Sequence, residues 1–476
     1  MALNFCPRCG TPVDADERFC SNCGCTIRPA PAPQPTTQAK RNDSKARAAR
    51  PAKKKSSARI VWGLVAVVVL AVGAAAVFAT MEKTITLSDN SLTLYSGDTK
   101  ALSATVGKGS TANVPLKWSS SNTDVATVAG DGTVTAVGAG NAVIYVSAQG
   151  YAAKKCVLKV NQRDVYVAGS EENGEGTAIA TLWRNGEAQR LTDEKTHVAV
   201  HALFVSGKDV YVVGDVVNAQ DNWVATLWKN GAPQSLSNGK DEAAAYSVFV
   251  ADGDVHVAGF EKSAQGIHVP THWKNGIRQG LEFAVFSRGA LATSVFVAGN
   301  DTYVAGYGAD QSGQQHAVLW KNGKPLSTLF DGRGAARWSS AFVSGDDVYL
   351  GGHVSDTDRM FAILQKNEDD SLSQNLSHEK FSSVQSVYVS GGDIFAAGYE
   401  VNARGESSAV LWKNGKAQRL NSGKQQAEAK SVFVTGKDVY VAGRTEDDEG
   451  MEVAVLWKNG QKTVLGKGSA NSVFVQ

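Results

Sequence analysis

Four cysteines near the start of the chain have a spacing that could hold a metal. Residues 6–23 read Cys6-Pro-Arg-Cys9, ten residues, then Cys20-Ser-Asn-Cys23. Two Cys-x-x-Cys pairs put four thiolates on two tight turns, the donor set that tetrahedral zinc takes. A segment this short has no apolar core of its own, so bound metal would supply its folding energy. Four thiolates leave no open coordination position, which makes such a Zn2+ site structural and not catalytic. An oxidised disulfide pair is the alternative for the same residues, and Cys25 is a fifth thiol, spare or a competing ligand. No other stretch offers comparable chemistry. The chain has no G-x-S-x-G turn for a nucleophilic serine and no HExxH pair.

The pattern Cys-Pro-x-Cys-Gly followed by Phe19-Cys20-x-x-Cys23-Gly24 resembles the short zinc ribbons at the N-termini of bacterial membrane proteins. The elements behind it fit that placement. Residues 28–59 are rich in Pro, Ala, Lys and Arg with almost nothing to bury, the composition of a disordered linker. Within it, residues 40–59 hold nine Lys/Arg against one acid, Asp43. Residues 60–80 follow as 21 residues without a charge. As a helix rising 1.5 Å per residue, they would cross the roughly 30 Å of a bilayer core. A basic block against the N-terminal end of an apolar span predicts a cytoplasmic N-terminus, with everything after Thr80 outside. That reading accounts for the basic run without nucleic acid, and no nucleic-acid partner is expected. It also places the five N-terminal cysteines on the reducing side and leaves Cys156 alone beyond the membrane. Cys156 reads as a small buried residue.

Residues 82–161 alternate apolar and polar positions between Gly and Asn turns, as a β-sandwich does. Trp118-Ser-Ser-Ser-Asn122, Val125-Ala126-x-Val128 and Gly132-x-Val134-x-Ala136 resemble the bacterial Ig-like group 2 domain. The resemblance implies a stalk or spacer with Trp118 in its core.

From Asp164 onward the chain repeats. The run Asp-Val-Tyr-Val-Ala-Gly, or a close variant, starts at residues 164, 209, 254, 301, 347, 393 and 438. A period near 45 with four strand-like runs per unit is the mark of propeller blades. Asn-Gly recurs between the third and fourth runs at Asn185, Asn230, Asn275, Asn322, Asn414 and Asn459, the preferred pair for a tight hairpin. The first unit lacks its Ser-Val-Phe-Val run, and the chain ends on an orphan of that type, Ser472–Val475. A closed ring would use this last strand to complete the first blade and remove an open sheet edge. The repeats (DVYVAG…AVLWKNG…SVFV) are also similar to those of uncharacterised bacterial propellers, a resemblance that implies a fold and no activity. The expected fold is therefore mainly β: a seven-bladed β-propeller with four-stranded blades over 164–476, preceded by an Ig-like β-sandwich, one transmembrane helix and a small zinc ribbon over 1–27.

The repeated Asp, Phe and Trp residues read as scaffold: Asp at turns, Phe on the innermost strands, Trp between blades. Long loops that differ in every unit fall on one face of the disc, and variable loops on a rigid scaffold are where binding concentrates. The candidate residues there are Trp223, Tyr246, Tyr307, Arg333 and Arg337, with Trp338, Arg359, Tyr399 and Arg404. Aromatic residues mixed with Arg suit an extracellular protein or glycan partner. With no catalytic motif, the leading expectation is a non-enzymatic, membrane-anchored surface protein. The alternatives are a polysaccharide hydrolase or lyase with residues in the propeller channel, and a sensor signalling through the helix to the ribbon.

The cysteine reading is directly measurable: the purified chain should carry close to one zinc per molecule by elemental analysis. Cys20→Ser should lose most of it, whereas Cys25→Ser should retain it.

Overall fold

The computed structural model describes residues 4–5, 12–13, 84–107, 114–329, 334–367, 373–423 and 425–476. Cys6, Cys9, Cys20, Cys23, the basic linker and the apolar stretch 60–80 lie outside these residues. Near the N-terminus, two short strands, Asn4–Phe5 and Pro12–Val13, pair antiparallel. Among the described residues no helix is long and apolar enough to cross a membrane, and every assigned element is a strand.

Residues 84–161 form small sheets around one core. Ser91–Tyr95 lies parallel to Lys154–Asn161, which pairs antiparallel with Gly140–Ser147, itself bonded to Lys117–Ser120. Thr99–Ala101, Thr133–Ala136 and Ala126–Val128 make a second sheet. The alternation read from the sequence places Val134, Ala136, Ala142, Ile144, Val146, Cys156, Leu158 and Val160 inside. Cys156 is fully buried, and burial raises its thiol pKa. Trp118 is only half-buried and packs against the edge of the core, with Gly132 too close beneath its indole for any larger residue.

From residue 164 the chain is a propeller-type assembly of antiparallel four-stranded meanders. The second unit runs Val198–Ser206, Asp209–Val217, Trp223–Lys229 and Ala232–Ser235, each strand paired with the next. Five further units repeat this order. The final strand, Gln461–Val475, serves two sheets. Its first half pairs with Glu452–Lys458 as the outer strand of the last unit. Its second half pairs with Val165–Glu172 as the inner strand of the first. Ser472–Val475 thus lies against the first strand of the first unit, and neither partner sheet is left with an open edge there.

The inner strands meet in a ring of aromatic side chains. Phe204, Phe249, Phe296, Phe342, Tyr388, Phe433 and Phe474 each contact the next, with centroids 4.6–5.1 Å apart, and Phe474 returns to Phe204. Each tilted pair contributes about 0.5–1.5 kcal/mol beyond the burial of its surface. One layer above, a serine hydroxyl on one inner strand accepts the backbone N–H of the next, at 3.0–3.2 Å, from Ser247, Ser294, Ser340, Ser386, Ser431 and Ser472. These bonds occupy donors on strand edges that no further strand covers. Ala202 stands at the corresponding place in the second unit.

The strand-opening aspartates hold the opposite rim. In all seven units the Asp carboxylate accepts from the side-chain amide of the turn Asn, at 2.7–3.0 Å. Its other oxygen meets the Lys or Arg before that Asn, at 2.6–3.1 Å. The Asn oxygen in turn takes the backbone N–H of the residue after the Asp, and its φ lies between 50° and 59°. Asn367 keeps both bonds although the following Gly is replaced by Glu368, so the Asn and not the Asn-Gly pair is the constant feature. The seven indoles are buried too: Trp183, Trp228, Trp273, Trp320, Trp412 and Trp457 in the third strands, and Trp338 on an inner strand.

Each inner strand carries one extra residue. The register with the second strand skips His201, Tyr246, Thr293, Ser339, Gln385, Lys430 and Asn471 in turn. Such a bulge turns a side chain out of the sheet, here toward the centre. It also pushes the carbonyl two residues earlier against the second strand. A Cβ at Gly169, Gly214, Gly259, Gly306, Gly352, Gly398 or Gly443 would sit 1.9–2.0 Å from that oxygen. The last residue of Val-Ala-Gly is thus glycine because the bulge leaves no room for a side chain. Gly214→Ala should cost more than about 3 kcal/mol in chemical denaturation. Gly207→Ala, in open space with a φ of 59°, should cost only about 1 kcal/mol.

One unit departs from the pattern in its core. His256 and His272 stand where Tyr211 and Leu227 stand in the second unit. Both are buried, with Nδ1 of His256 3.0 Å from Nε2 of His272. Burial lowers both to about 4, with the charge of Lys274 adding to it in both and that of His256 adding to it in His272. The unfolded chain therefore binds more protons between about pH 6.5 and 4, and the native state loses stability as pH falls through that window. The loss should be on the order of 2–4 kcal/mol between pH 7 and pH 5. The double variant His256→Tyr/His272→Leu should show a shallower fall in unfolding temperature over the same range.

Candidate active site

The bulges gather a collar of seven different polar side chains around the centre of the ring. His201, Tyr246, Thr293, Ser339, Gln385, Lys430 and Asn471 come one from each unit, and with Leu291 and Tyr307 they line a cavity of about 390 Å³. Between the inner strands lies a further volume of about 190 Å³, lined by the collar, the serine layer and the aromatic ring.

The collar's charges are compensated locally. Nε2 of His201 is 2.8 Å from Oδ1 of Asp215, a buried carboxylate on the second strand of the same unit. Tyr246 meets the His201 ring edge-on, at 4.9 Å between centroids. Burial holds the Tyr246 phenol above its ordinary pKa, aided by the negative charge of Asp215. Lys430 is 2.6 Å from Glu428, which also accepts from Arg444 at 3.0 Å. Burial works against the Glu428 charge, but Lys430 and Arg444 outweigh it and hold the carboxyl below the usual range. Arg444 in turn binds Glu452. Thr293 and Asn471 are fixed by donating to the carbonyls of Trp338 and Val200 in the neighbouring units, both at 2.7 Å. Arg337 lies over the Tyr307 ring at 4.5 Å and donates from Nε to Gln315 at 2.6 Å. Burial likewise holds His353 neutral, at about 4.

The residues expected on the variable face fare differently. Tyr246 and Tyr307 line the cavity, and Arg337 supports it through Tyr307. Tyr399 is half-buried near Glu428, whose charge adds to burial in raising its pKa. Trp223 is half-buried at the start of a third strand. Arg359 and Arg404 are exposed in turns, Arg359 near Asp356 at 3.5 Å. Arg333 lies outside the described residues. Trp338 is corrected: it precedes the bulge, faces between units and is buried to 1 % exposure in the core. His201, Asp215, Gln385, Glu428, Lys430 and Asn471 were not among the expected residues. For His201, Gln385, Lys430 and Asn471 the signal was a column before the Ser-Val-Phe-Val motif that differs in every unit, inside a strand where the following positions scarcely change; Asp215 and Glu428 lie outside that column.

Among the described residues, no three His, Cys, Asp or Glu side chains gather as a metal site would require. At the N-terminus, the two Cys-x-x-Cys pairs remain the donor set that fits zinc.

Two family models match parts of the chain: a zinc-ribbon domain over residues 5–27 and the bacterial Ig-like domain (group 2) over residues 82–158. Both segments are thereby identified as the sequence resemblances had them. No curated protein matches the sequence. Among solved structures, a Mycobacterium tuberculosis puromycin-hydrolyzing peptidase is similar with a TM-score of 0.39 and 9 % identity, over 64 % of this chain and 52 % of that one. This chain thus spans about half the length of that peptidase. YjhT gives 0.36 and 13 % over 55 % and 96 %. A thermostable family-43 glycoside hydrolase gives 0.29 and 15 % over 47 % and 93 %. The expectation of a non-enzymatic binding protein does not stand beside these findings, since the peptidase and the glycoside hydrolase are enzymes. Likenesses this distant assign no residue and no substrate, so the chemistry rests on the chain's own collar.

Proposed function

We propose that this chain is a glycan-directed hydrolase that works at the collar of a seven-bladed propeller. The observation that carries the reading is the His201–Asp215 pair, one oriented acid–base group on the wall of a polar cavity. Asp215 occupies one ring nitrogen of His201 and leaves the other to move a proton. Sugars offer hydroxyls at their edges and C–H faces above and below. The collar answers with amides and hydroxyls from Gln385, Asn471, Thr293 and Ser339, beside the rings of Tyr246 and Tyr307.

In the hydrolytic step, His201 takes a proton from the attacking water, whose oxygen bonds to the anomeric carbon. The bond from that carbon to the glycosidic oxygen breaks, and Lys430, held at the collar by Glu428, supplies the departing oxygen with a proton. Asp215 and Glu428 thus act behind the two proton-transfer groups, a variation on the paired carboxylates common in glycoside cleavage.

The remainder of the chain supports a surface placement in this reading. The ribbon over 1–27 holds one structural zinc through Cys6, Cys9, Cys20 and Cys23. Residues 28–59 form the basic linker, and residues 60–80 span the membrane with the N-terminus in the cytoplasm. The Ig-like segment, 82–161, and the propeller, 164–476, lie outside, where glycan is met.

The test is release of reducing sugar by the full chain from soluble neutral polysaccharides. His201→Ala and Asp215→Asn should each lower the rate on the order of 10²–10⁴-fold with unfolding temperatures near that of the parent. Equal rates in parent and variants would show that the dyad is not the acid–base group.

A further inference from the structure

One half-buried cation beside the cavity has no carboxylate partner among the described residues. Arg337 lies on the inner strand Ala336–Ser344, just before the collar residue Ser339 and toward the variable loops. Its guanidinium covers the ring of Tyr307, which lines the cavity, at 4.5 Å. Its Nε donates to a neutral amide, that of Gln315, at 2.6 Å. Its two Nη nitrogens have no partner among the described residues, and neither is sealed from solvent. The neighbouring cations differ: Lys430 is held by Glu428, and Arg444 by Glu428 and Glu452. His353, the cross-strand partner of Arg337, is held neutral by burial.

A guanidinium that is half covered loses part of its hydration, and a paired carboxylate ordinarily makes up the loss. Here the stack on Tyr307 and the bond to Gln315 fix the plane of the group without neutralising it. With Nε occupied, the Nη pair is the free edge of the fork. Two parallel N–H groups on such an edge match the two oxygens of a carboxylate. Arg337 stands behind Tyr307 and does not itself line the cavity, so an anion bound to it sits beside the mouth. The collar has no comparable cation to offer, because His201 and Lys430 already face Asp215 and Glu428. A sugar at the reacting position is therefore best neutral, and the acid belongs to a neighbouring residue of the same glycan.

Building on the hydrolase reading, we infer that the substrate is a uronate-bearing glycan: a neutral sugar enters the collar, and Arg337 binds the carboxylate of a neighbouring sugar.

The experiment uses the full chain with glucuronoxylan and gum arabic, each compared with its carboxyl-reduced form, in which the uronates have become neutral sugars. Binding is followed by affinity electrophoresis, and release of reducing sugar by KM and kcat. At low salt, at least one acidic glycan should bind about 10-fold more tightly than its reduced form. Added salt should narrow that gap. Arg337→Met should erase it, and Arg337→Gln provides the same comparison if the methionine variant fails to fold. A merely structural role for Arg337 would weaken both forms alike and keep their ratio, which would overturn the inference. Equal binding of acidic and reduced forms by the parent would also overturn it, and release of reducing sugar alongside would leave the hydrolase reading in place. A preference that depends on Arg337, with no release from any of these glycans, would uphold the carboxylate site and overturn the hydrolase reading.

Discussion

Seven aromatic side chains, each in contact with the next, are the hub on which the repeats are hung. Each belongs to a different unit, so no unit can bury its own ring without two neighbours in place. The contact is collective, and it requires that the last strand return to the first. Gln461–Val475 meets that requirement by belonging to two sheets, which ties the end of the chain to the start of the repeats. The serine hydroxyls above the hub and the Asp–Asn–Lys links on the opposite rim hold the units at two further levels.

The hub also explains why the site can vary while the scaffold does not. A bulge above the aromatic layer frees one residue per unit from the sheet, and the glycine opposite it absorbs the displaced carbonyl. The freed positions have no pairing duty, so their chemistry is unconstrained by the fold. Seven units supply His, Tyr, Thr, Ser, Gln, Lys and Asn at the same place. The collar is therefore a heterogeneous polar surface built by a homogeneous backbone. Its acid–base character comes from residues one step away, Asp215 and Glu428, each beside a single collar residue.

Much of this was legible in the sequence because the causes are local and repeated. Asn-Gly between the third and fourth runs marks a hairpin, and its Asn takes the positive φ that such a turn requires. A period near 45 with four strand runs gives the meander, and the orphan Ser472–Val475 run gives the closure. The four N-terminal cysteines and the Trp118–Gly140 pattern identify the ribbon and the Ig-like segment, and family models match both. The Asp and Trp repeats read as scaffold, and the Asp–Asn–Lys links and buried indoles have that character.

The site was less legible because it depends on which way one side chain per strand points. Strand alternation alone gives His201 and Lys430 a place in the sheet, and only the bulge turns them to the centre. Trp338 shows the same dependence in reverse: on a variable stretch its size and flanking Arg337 read as surface, yet one residue before the bulge it faces the core. Pairing of His201 with Asp215, fourteen residues apart, needs the register of two strands as well, whereas Lys430 and Glu428 meet within one strand. The sequence by itself determined the repeat, the hairpins, the closing strand and the zinc-ribbon cysteine spacing, because each follows from residue type and spacing along the chain. Only the tertiary structure decided the collar and its compensated charges, because these arise where seven distant strands converge.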